Sequence, residues 1–527
     1  MAQRRHNFIS GAAVLALAVA VTKVLGALYK IPLGNLLDKE GMAHFYAAYN
    51  IYNLLLVLST AGLPLALSRL VSRAAAQGRL NAQRRIFRTA LALLAVIGAV
   101  CSAVMCLFPQ VLSGLLHDSL AAPAIRVLGP AVLFVCLTSA IRGYTQGLGD
   151  MTPTAVSQMT ESAGKLVIGL ALCLVLLHRG ADSSLCAAGA IAGVTAGSLL
   201  SLTVLTVFLL RRRDRAAVDV PPARSAVLRE LLTAGIPITL GAAGMSLITL
   251  LDQALVMSTL QNTLGYTEAA ATALYGEYTF GMTLFALPPS FIYPVTVSLV
   301  PDISAALARG DRPAAGHSAA AALKLTTLIA LPTGAGLSVL AGPILRLLYP
   351  AVPDTAAAAA YHLTILGIAC IFVCLMVATN GVLQAYGKEY IPVVTLLCGG
   401  ILKIITNYLM VGDPATNVRG APVSTLYCYG LIVVLNLIAI ARCVPERPSY
   451  LRLFARPVLI TAVMALAARS SYGLLARSLP ERWAVLPAIA VAVVVYGVLV
   501  LALGAVTRQD VLDLPKGEKI ARMLHLH

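Results

Sequence analysis

Fourteen stretches of this chain are apolar for about the length needed to cross a lipid bilayer. They lie near residues 8–37, 45–75, 86–109, 122–148, 154–178, 183–210, 226–257, 270–300, 314–340, 355–386, 389–411, 418–442, 453–475 and 483–506. The hydrocarbon core is about 30 Å thick and a helix rises about 1.5 Å per residue, so roughly twenty apolar residues make one span. In lipid every backbone N–H and C=O must be satisfied within the protein, which leaves helices as the spanning element for runs of this length. The expectation is an all-α polytopic membrane protein with fourteen transmembrane helices. A composition of 59% apolar and 12% charged residues agrees with it, as does a mean hydropathy of +0.86. Arg4 and Arg5 precede the first run as they would in a signal peptide. That run continues through Ala27 and Leu37 without a polar cleavage region, so it reads as a retained helix.

Basic residues orient the spans. With the amino terminus in the cytoplasm, Arg69, Arg73, Arg79, Arg84, Arg85 and Arg88 fall inside, as do Arg211, Arg212, Arg213, Arg215, Arg224 and Arg229. Arg309, Arg312, Lys388, Arg442, Arg447, Arg452 and Arg456 follow them, with Arg508, Lys516, Lys519 and Arg522 at the carboxyl end. The opposite side receives only Lys39, Arg179, Arg346, Arg419, Arg477 and Arg482. An even span number brings both termini to the cytoplasm. The net charge of +17 is then a membrane-surface property, attractive to anionic lipid, and no module for nucleic acid accompanies it. Ten cysteines, among them Cys101, Cys106, Cys370 and Cys374, have the spacing of neither a disulfide framework nor a zinc site and read as small apolar side chains.

Gly143, Gln146, Gly149 and Lys165 recur as Gly381, Gln384, Gly387 and Lys403, each displaced by 238 positions. The displacement carries spans four and five onto ten and eleven, so the repeated unit holds six helices, and both copies share one membrane orientation. Two six-helix lobes, 1–215 and 216–445, are expected, followed by two further helices and a tail in 446–527. The connector is charged and carries Pro221 and Pro222. Tyr49, Pro64, Ser68 and Gly78 find a looser echo in Tyr275, Pro289, Ser298 and Gly310. The repeated glycines suit close helix packing and loop entry as well as they suit contact with a ligand.

Polar residues inside apolar spans are costly unless they face protein or a hydrated cavity. Arg142 and Gln146 stand four apart, as do Asn380 and Gln384, so each pair shares a helix face. Glu161 and Lys165 have the spacing and order of an intrahelical ion pair, and a structural lock explains them as well as a ligand site does. Lys403 lacks that partner, because Gly399 occupies the equivalent position. Lys23, Lys30, Asp252, Glu277, Lys324 and Arg469 complete the set. Lys30, Lys324 and Arg469 lie where a long side chain can snorkel to the interface. Several cations with amides nearby suit an anionic headgroup. Asp252 and Glu277 serve equally as coupling groups for a cation or proton and as partners of those same cations.

Thr22-Lys23-Val24-Leu25-Gly26, Tyr29-Lys30-Ile31-Pro32-Leu33, Gly62-Leu63-Pro64 with Ser68-Arg69, Gly143-Tyr144-Thr145-Gln146-Gly147-Leu148-Gly149 and Leu383-Gln384-Ala385-Tyr386-Gly387 carry a resemblance. With them the chain resembles, over nearly its whole length, the polysaccharide-exporter branch of the multidrug/oligosaccharidyl-lipid/polysaccharide exporter superfamily. It looks nearest to the stage V sporulation protein B group and related to the lipid II flippases. The resemblance implies a V-shaped pair of lobes and carriage of a polyprenyl-pyrophosphate-linked glycan by alternating access, without a covalent reaction. Lys23 matches a basic position on helix one of the flippases. Their Arg-Asp pair aligns with Tyr29-Lys30, and their basic positions on helix two align with Leu56 and Val57, which favours the sporulation-type or general exporter branch.

The headgroup is therefore expected to meet Lys23, Arg142, Gln146, Lys165, Gln384 and Lys403, with Glu161, Asp252 and Glu277 as coupling or ion-pairing groups. No resident cofactor or metal is expected. No glycine-rich loop ending in Lys-Ser or Lys-Thr supports ATP hydrolysis, so membrane potential, Na+ or H+ is the expected driving force. The expected partners are the lipid-linked glycan, membrane lipids and cell-wall synthesis proteins, at a bacterial plasma membrane. A cation-coupled multidrug exporter predicts an acidic, aromatic pocket instead, and a noncatalytic scaffold for cell-wall or spore-cortex assembly predicts tolerance to loss of Lys23 and Lys403. An integral-membrane glycosyltransferase lacks a loop able to hold its nucleotide donor.

Overall fold

A computed structural model describes the backbone of residues 2–211, 219–444 and 449–505, with the side chains of residues up to 17, and of 20, 237, 240, 241, 293–302 and 452, left aside. Arg212, Arg213, Arg215, Arg447, Arg508, Lys516, Lys519 and Arg522, expected on the cytoplasmic side, lie outside the described residues, and the side chains of Arg4, Arg5, Ser298 and Arg452 lie outside the described side chains. The described chain is helical throughout. By packing it forms two compact units, residues 1–279 with 411–418, and residues 280–410 with 419–527.

The first unit holds α1 (Ala2–Leu36), α2 (Lys39–Thr60), α3 (Leu63–Ala76), α4 (Leu80–Leu107), α5 (Pro109–Leu115), α6 (Ala122–Gly147), α7 (Thr152–His178), α8 (Ser183–Leu210), α9 (Arg224–Ser258) and most of α10 (Glu268–Phe285). The second holds α11 (Leu287–Ala308), α12 (Arg312–Val339), α13 (Ala341–Leu348), α14 (Pro353–Ala385), α15 (Tyr390–Val411), α16 (Gly420–Cys443), α17 (Tyr450–Leu475) and α18 (Glu481–Ala502). Twelve segments among the described residues are long and apolar enough to cross a membrane. They coincide with twelve of the fourteen stretches expected from sequence. The other two, 8–37 and 270–300, are also helical, the first within α1 and the second divided between α10 and α11 at Ala286. Pro288 and Pro289 follow that break, and proline suits a helix start, where its missing N–H has no partner to lose.

The stretch 45–75 is likewise two helices, and its break has a packing cause. The Gly62 N–H donates to Thr239 Oγ1 at 3.1 Å, and a Cβ at Gly62 would fall on the carbonyl of Gly235. Three polar contacts run along this α2–α9 seam: Gly62 with Thr239, Asn53 Nδ2 to Ser246 Oγ at 3.3 Å, and Asn50 Nδ2 to Gln253 Oε1 at 2.7 Å. The α9 members are seven residues apart, two helical turns, and so lie on one face. The pairing order makes the two helices antiparallel.

Asp219, in the connector, caps α4 from a distance. Arg79 at the α4 N-cap makes no side-chain cap bond. The Asn81 and Ala82 N–H groups donate instead to the Asp219 carboxylate at 2.8 and 2.9 Å, and Arg79 donates to the Val220 carbonyl at 3.0 Å. Desolvation opposes its ionisation, but those backbone donors and then Arg79 outweigh it and hold the Asp219 carboxyl below the usual carboxylate range.

The 238-residue displacement has a backbone counterpart. After α6 the Gly149 N–H donates to Gln146 O and the Asp150 N–H to Thr145 O. After α14 the Gly387 N–H donates to Gln384 O and the Lys388 N–H to Leu383 O. Both glycines sit at positive φ, +84° and +71°, as this helix-ending turn requires. Any other residue there costs roughly 1–2 kcal/mol.

In the second unit, Ala315, Ala319 and Leu323 of α12 bury against Ala378, Val382 and Leu383 of α14, with Ile440 of α16 and Leu453 of α17. Helix α17 joins this core through Leu453, and α18 attaches to α12 and α13. Tyr496 Oη donates to Leu328 O at 2.8 Å, and Arg346 pairs with Glu481 at 2.7 Å.

Candidate functional site

In the first unit the small residues of α7 and α8 bring polar groups into close register. A Cβ at Gly197 would stand 2.5 Å from the Glu161 carbonyl and 3.0 Å from the Lys165 nitrogen. One at Gly193 would fall on the backbone of Gly169 and stand 2.9 Å from the Lys165 carbonyl. The two helices therefore touch backbone to backbone beside Glu161 and Lys165. Close approach of this kind needs small residues at the interface.

Glu161 sits between two cations. Lys165 Nζ donates to Oε1 at 2.8 Å, and Arg142 Nη2, from α6, donates to Oε2 at 3.1 Å. Arg142 is fixed further by Nε to Ser157 Oγ at 2.9 Å and Nη2 to Ser201 Oγ at 3.0 Å. The i,i+4 spacing of Glu161 and Lys165 made their pair legible in sequence; Arg142, on another helix, turns it into a three-membered cluster. Side-chain exposures of 13% for Arg142, 13% for Glu161 and 21% for Lys165 put the cluster under little bulk water.

Lys30 joins this cluster, although its place in the sequence suggested snorkelling. It is half-buried, donates to Tyr46 Oη at 3.3 Å, and stands 4.8 Å from the Tyr46 ring centre and 5.4 Å from that of Tyr49. Lys165 is within electrostatic reach of Lys30, and Tyr49 and Tyr52 are within reach of Lys165. Tyr49 stacks on Phe45 with ring centres 5.9 Å apart, which fixes the ring beneath the ammonium. One carboxylate thus serves Arg142 and Lys165 while Lys30 has aromatic rings and a hydroxyl. The cluster carries three cations and one anion.

The other sequence-derived residues distribute as follows. Gln146, one turn from Arg142, donates to Thr154 Oγ1 at 3.2 Å. Lys23 is exposed on α1, two turns from half-buried Lys30. Glu277 pairs with Lys39 at 3.1 Å. Asp252 is buried at 3% exposure and engaged with its surroundings. Gly143 packs tightly, a Cβ there coming 2.7 Å from the Pro64 carbonyl. Among the described residues no group of three or more His, Cys, Asp or Glu is arranged to hold a metal ion.

The second unit has a matching polar node. Thr395 Oγ1 donates to Asn436 Oδ1 at 2.8 Å, and Asn436 Nδ2 donates to Asn380 Oδ1 at 2.8 Å and to Thr379 Oγ1 at 3.0 Å. Asn380 and Thr395 stand 238 positions after Arg142 and Ser157, and Asn436 lies three residues before the position matching Ser201. Where the first unit holds an arginine with two serines, the second holds two asparagines with threonines. Lys403 is 5% exposed and likewise engaged. One turn on, Asn407 Oδ1 accepts from Ser424 Oγ at 3.1 Å. Gln384 is exposed. The hydroxyls at 157 and 395 extend the repeat beyond Gly143, Gln146, Gly149 and Lys165.

Comparison with known proteins gives the following. A family model described as "Polysaccharide biosynthesis protein" matches residues 8–307, and one described as "MatE" matches residues 237–409. The chain is 27% identical to the uncharacterized membrane protein YabM of Bacillus subtilis (strain 168), over 99% of this chain and 97% of that one. It is 24% identical to stage V sporulation protein B of the same organism, over 84% and 85% of the two chains. Among solved structures it is similar to "Lipid II flippase MurJ, inward closed conformation", with a TM-score of 0.71 and 14% identity over 94% of this chain and 98% of that one.

Proposed function

The chain belongs to the polysaccharide biosynthesis protein family, and on that footing we propose that it flips a polyprenyl-pyrophosphate-linked cell-envelope glycan precursor across the membrane. It is a multi-pass membrane transporter and not an enzyme. The observation that carries the proposal is the excess positive charge of the Arg142–Glu161–Lys165–Lys30 cluster. Cations withdrawn from water without matching anions are costly, and a pyrophosphate supplies the missing negative charge. Lysines give mobile point-charge contacts to phosphate oxygens. The polyprenyl tail stays in the bilayer while the cluster is opened first to the cytoplasm and then to the outside.

In this reading α1 and the α10–α11 pair add to the twelve apolar segments to make fourteen spans. Both termini are cytoplasmic, the two six-helix copies occupy 1–215 and 216–445, and 446–527 is an addition. The matching helix caps at Gly149 and Gly387 and the matching polar nodes support the duplication. Identity to stage V sporulation protein B supports a precursor of the sporulation or general exporter type, with lipid II-like substrates included. Lys23, Gln146, Gln384 and Lys403 are assigned polar lining of the path, and Asp252, Glu161 and Glu277 stand as coupling or ion-pairing groups under membrane potential, Na+ or H+. The MatE match favours a second reading, multidrug export. Organic cations, however, would meet like charge at this cluster.

Sealed vesicles containing the purified protein and a fluorescent undecaprenyl-pyrophosphate-linked sugar test the proposal. Lys30→Gln and Lys165→Gln should each slow transbilayer movement about tenfold or more, the scale of one lost charge-assisted contact. Undiminished movement in both variants would overturn the role of the cluster. Movement of a small organic cation but of no glycan lipid would favour the drug-export reading.

A further inference from the structure

Arg469 puts a cation on a face of α17 that is otherwise apolar and exposed. Leu459, Val463, Leu466, Arg469 and Gly473 recur at intervals of three and four residues, and all are exposed, Leu466 at 67%. The opposite face buries Met464 and Ala468 against Leu340 and Val485. In a spanning helix the exposed stripe is the one that meets lipid. The Arg469 guanidinium makes no hydrogen bond or ion pair among the described residues. Six residues separate it from the end of the helix at Leu475, about 9 Å along the axis. A charge at that depth is costly unless its long side chain reaches the membrane surface and meets an anion there.

The turn beyond Leu475 adds charge of the same sign. Arg477 and Arg482 are exposed on either side of Pro480, and neither has a carboxylate partner among the described residues. The Arg482 guanidinium carbon lies 5.3 Å from the centre of the Trp483 ring. Trp483 is 51% exposed, and an indole at the end of a spanning helix sits at the level of the lipid headgroups. Glu481, the one carboxylate between residues 469 and 483, is taken by Arg346 of α13 at 2.7 Å. Three arginines are left unmatched at this end of the helix pair. Ser470 and Gly473, small and exposed, put no bulk between Arg469 and the turn.

We propose that this end of α17 and α18 is a binding site for an anionic phospholipid, with Arg469 taking the phosphate and Arg477 and Arg482 attracting its net charge. The inference goes beyond the transport reading and needs only that the two helices cross the membrane. A phosphodiester offers two non-bridging oxygens to the planar fork of a guanidinium. The stripe opens on the bilayer itself, where phospholipid is the resident anion and far outnumbers any carrier lipid. A zwitterionic headgroup would bring its own cation among the arginines, so the site selects phosphatidylglycerol over phosphatidylcholine. In the orientation expected from the basic loops, this end faces the extracytoplasmic surface. The preference of arginine for cytoplasmic loops therefore does not account for it.

Trp483 is the single tryptophan of the chain, so its fluorescence reads this site alone. The full chain is placed in phosphatidylcholine bilayers containing either phosphatidylglycerol or phosphatidylcholine with brominated acyl chains, which quench an indole they touch. The parent should favour the brominated phosphatidylglycerol about tenfold or more, and Arg469→Gln should cut that preference about fivefold, the scale of one arginine at an anionic surface. Arg469→Lys should retain most of it, and the triple variant Arg469→Gln, Arg477→Gln, Arg482→Gln should show none. Arg69→Gln removes an exposed arginine of α3 and should change nothing. Equal quenching by the two lipids in the parent, or an undiminished preference in Arg469→Gln, would overturn the proposal. Relief of the quenching by a small fraction of undecaprenyl pyrophosphate would also overturn it, by assigning the site to the carrier lipid. Lys30→Gln should keep the full preference whatever happens to glycan movement, so this proposal and the transport reading fail separately.

Discussion

Glu161→Ala is expected to destabilise the first unit by about 3–5 kcal/mol, the scale for leaving a buried ion-pair partner uncompensated. Two cations lose their carboxylate at once. Arg142 and Lys165 are only 13% and 21% exposed, so water can do little to replace it. Serines 157 and 201 still accept from Arg142, but hydroxyls do not neutralise it. Lys165, within electrostatic reach of Lys30, is left without its carboxylate partner. Unfolding of the purified protein in mixed micelles, followed by tryptophan-independent circular dichroism across a denaturant series, measures the loss. A stability within about 1 kcal/mol of the parent would mean that the cluster is hydrated, and that the argument from a withdrawn excess of charge is wrong.

Gly193→Leu should have an effect of similar size through a different cause. A side chain at this position falls on the backbone of Gly169 and on the Lys165 carbonyl, neither of which can rotate away. The helices must separate. Overpacking ordinarily costs about 1–3 kcal/mol, and a wedge between two backbones belongs at or beyond the upper end. Displacement of α7 also moves Glu161 and Lys165 relative to Arg142, so transport should fall with stability. Gly473→Leu is the matched control, because a Cβ there meets nothing within 4 Å. It should remain within about 0.5 kcal/mol of the parent in the same denaturation measurement. Equal stability of the two variants would show that the α7–α8 contact is not a close seam.

The positions of the apolar helices were legible because solvation by lipid depends on composition and length, both local properties. Breaks within them were less so. The division between α2 and α3 depends on Gly62 meeting Gly235 and Thr239, more than 170 positions away, and nothing near Gly62 specifies those partners. The Gly149 and Gly387 caps could be read, since a helix end followed by glycine is a local signal. The Glu161–Lys165 pair could be read for the same reason.

Lys30 could not. Its tyrosine partners lie 16 and 19 positions ahead on the next helix, and its depth alone suggested a side chain reaching for the interface. Arg142 and Gln146 share a helix face as expected, yet only Arg142 enters the charged cluster, because Thr154 takes Gln146. The two polar nodes do have a signal in the sequence. Ser157 and Thr395 keep the same 238-residue displacement as the glycines and carry the same hydroxyl chemistry.

An excess of positive charge in the first unit is proposed to recognise a pyrophosphate headgroup. Direct binding tests it without requiring transport: equilibrium titration of the detergent-solubilised protein with fluorescent undecaprenyl pyrophosphate, against phosphatidylcholine carrying the same fluorophore. The parent should prefer the pyrophosphate lipid. Lys30→Gln and Lys165→Gln should each raise its Kd about tenfold, and the double variant roughly a hundredfold, each tenfold step corresponding to about 1.4 kcal/mol. Equal Kd values for the parent and the double variant, or no preference of the parent for pyrophosphate, would contradict the account.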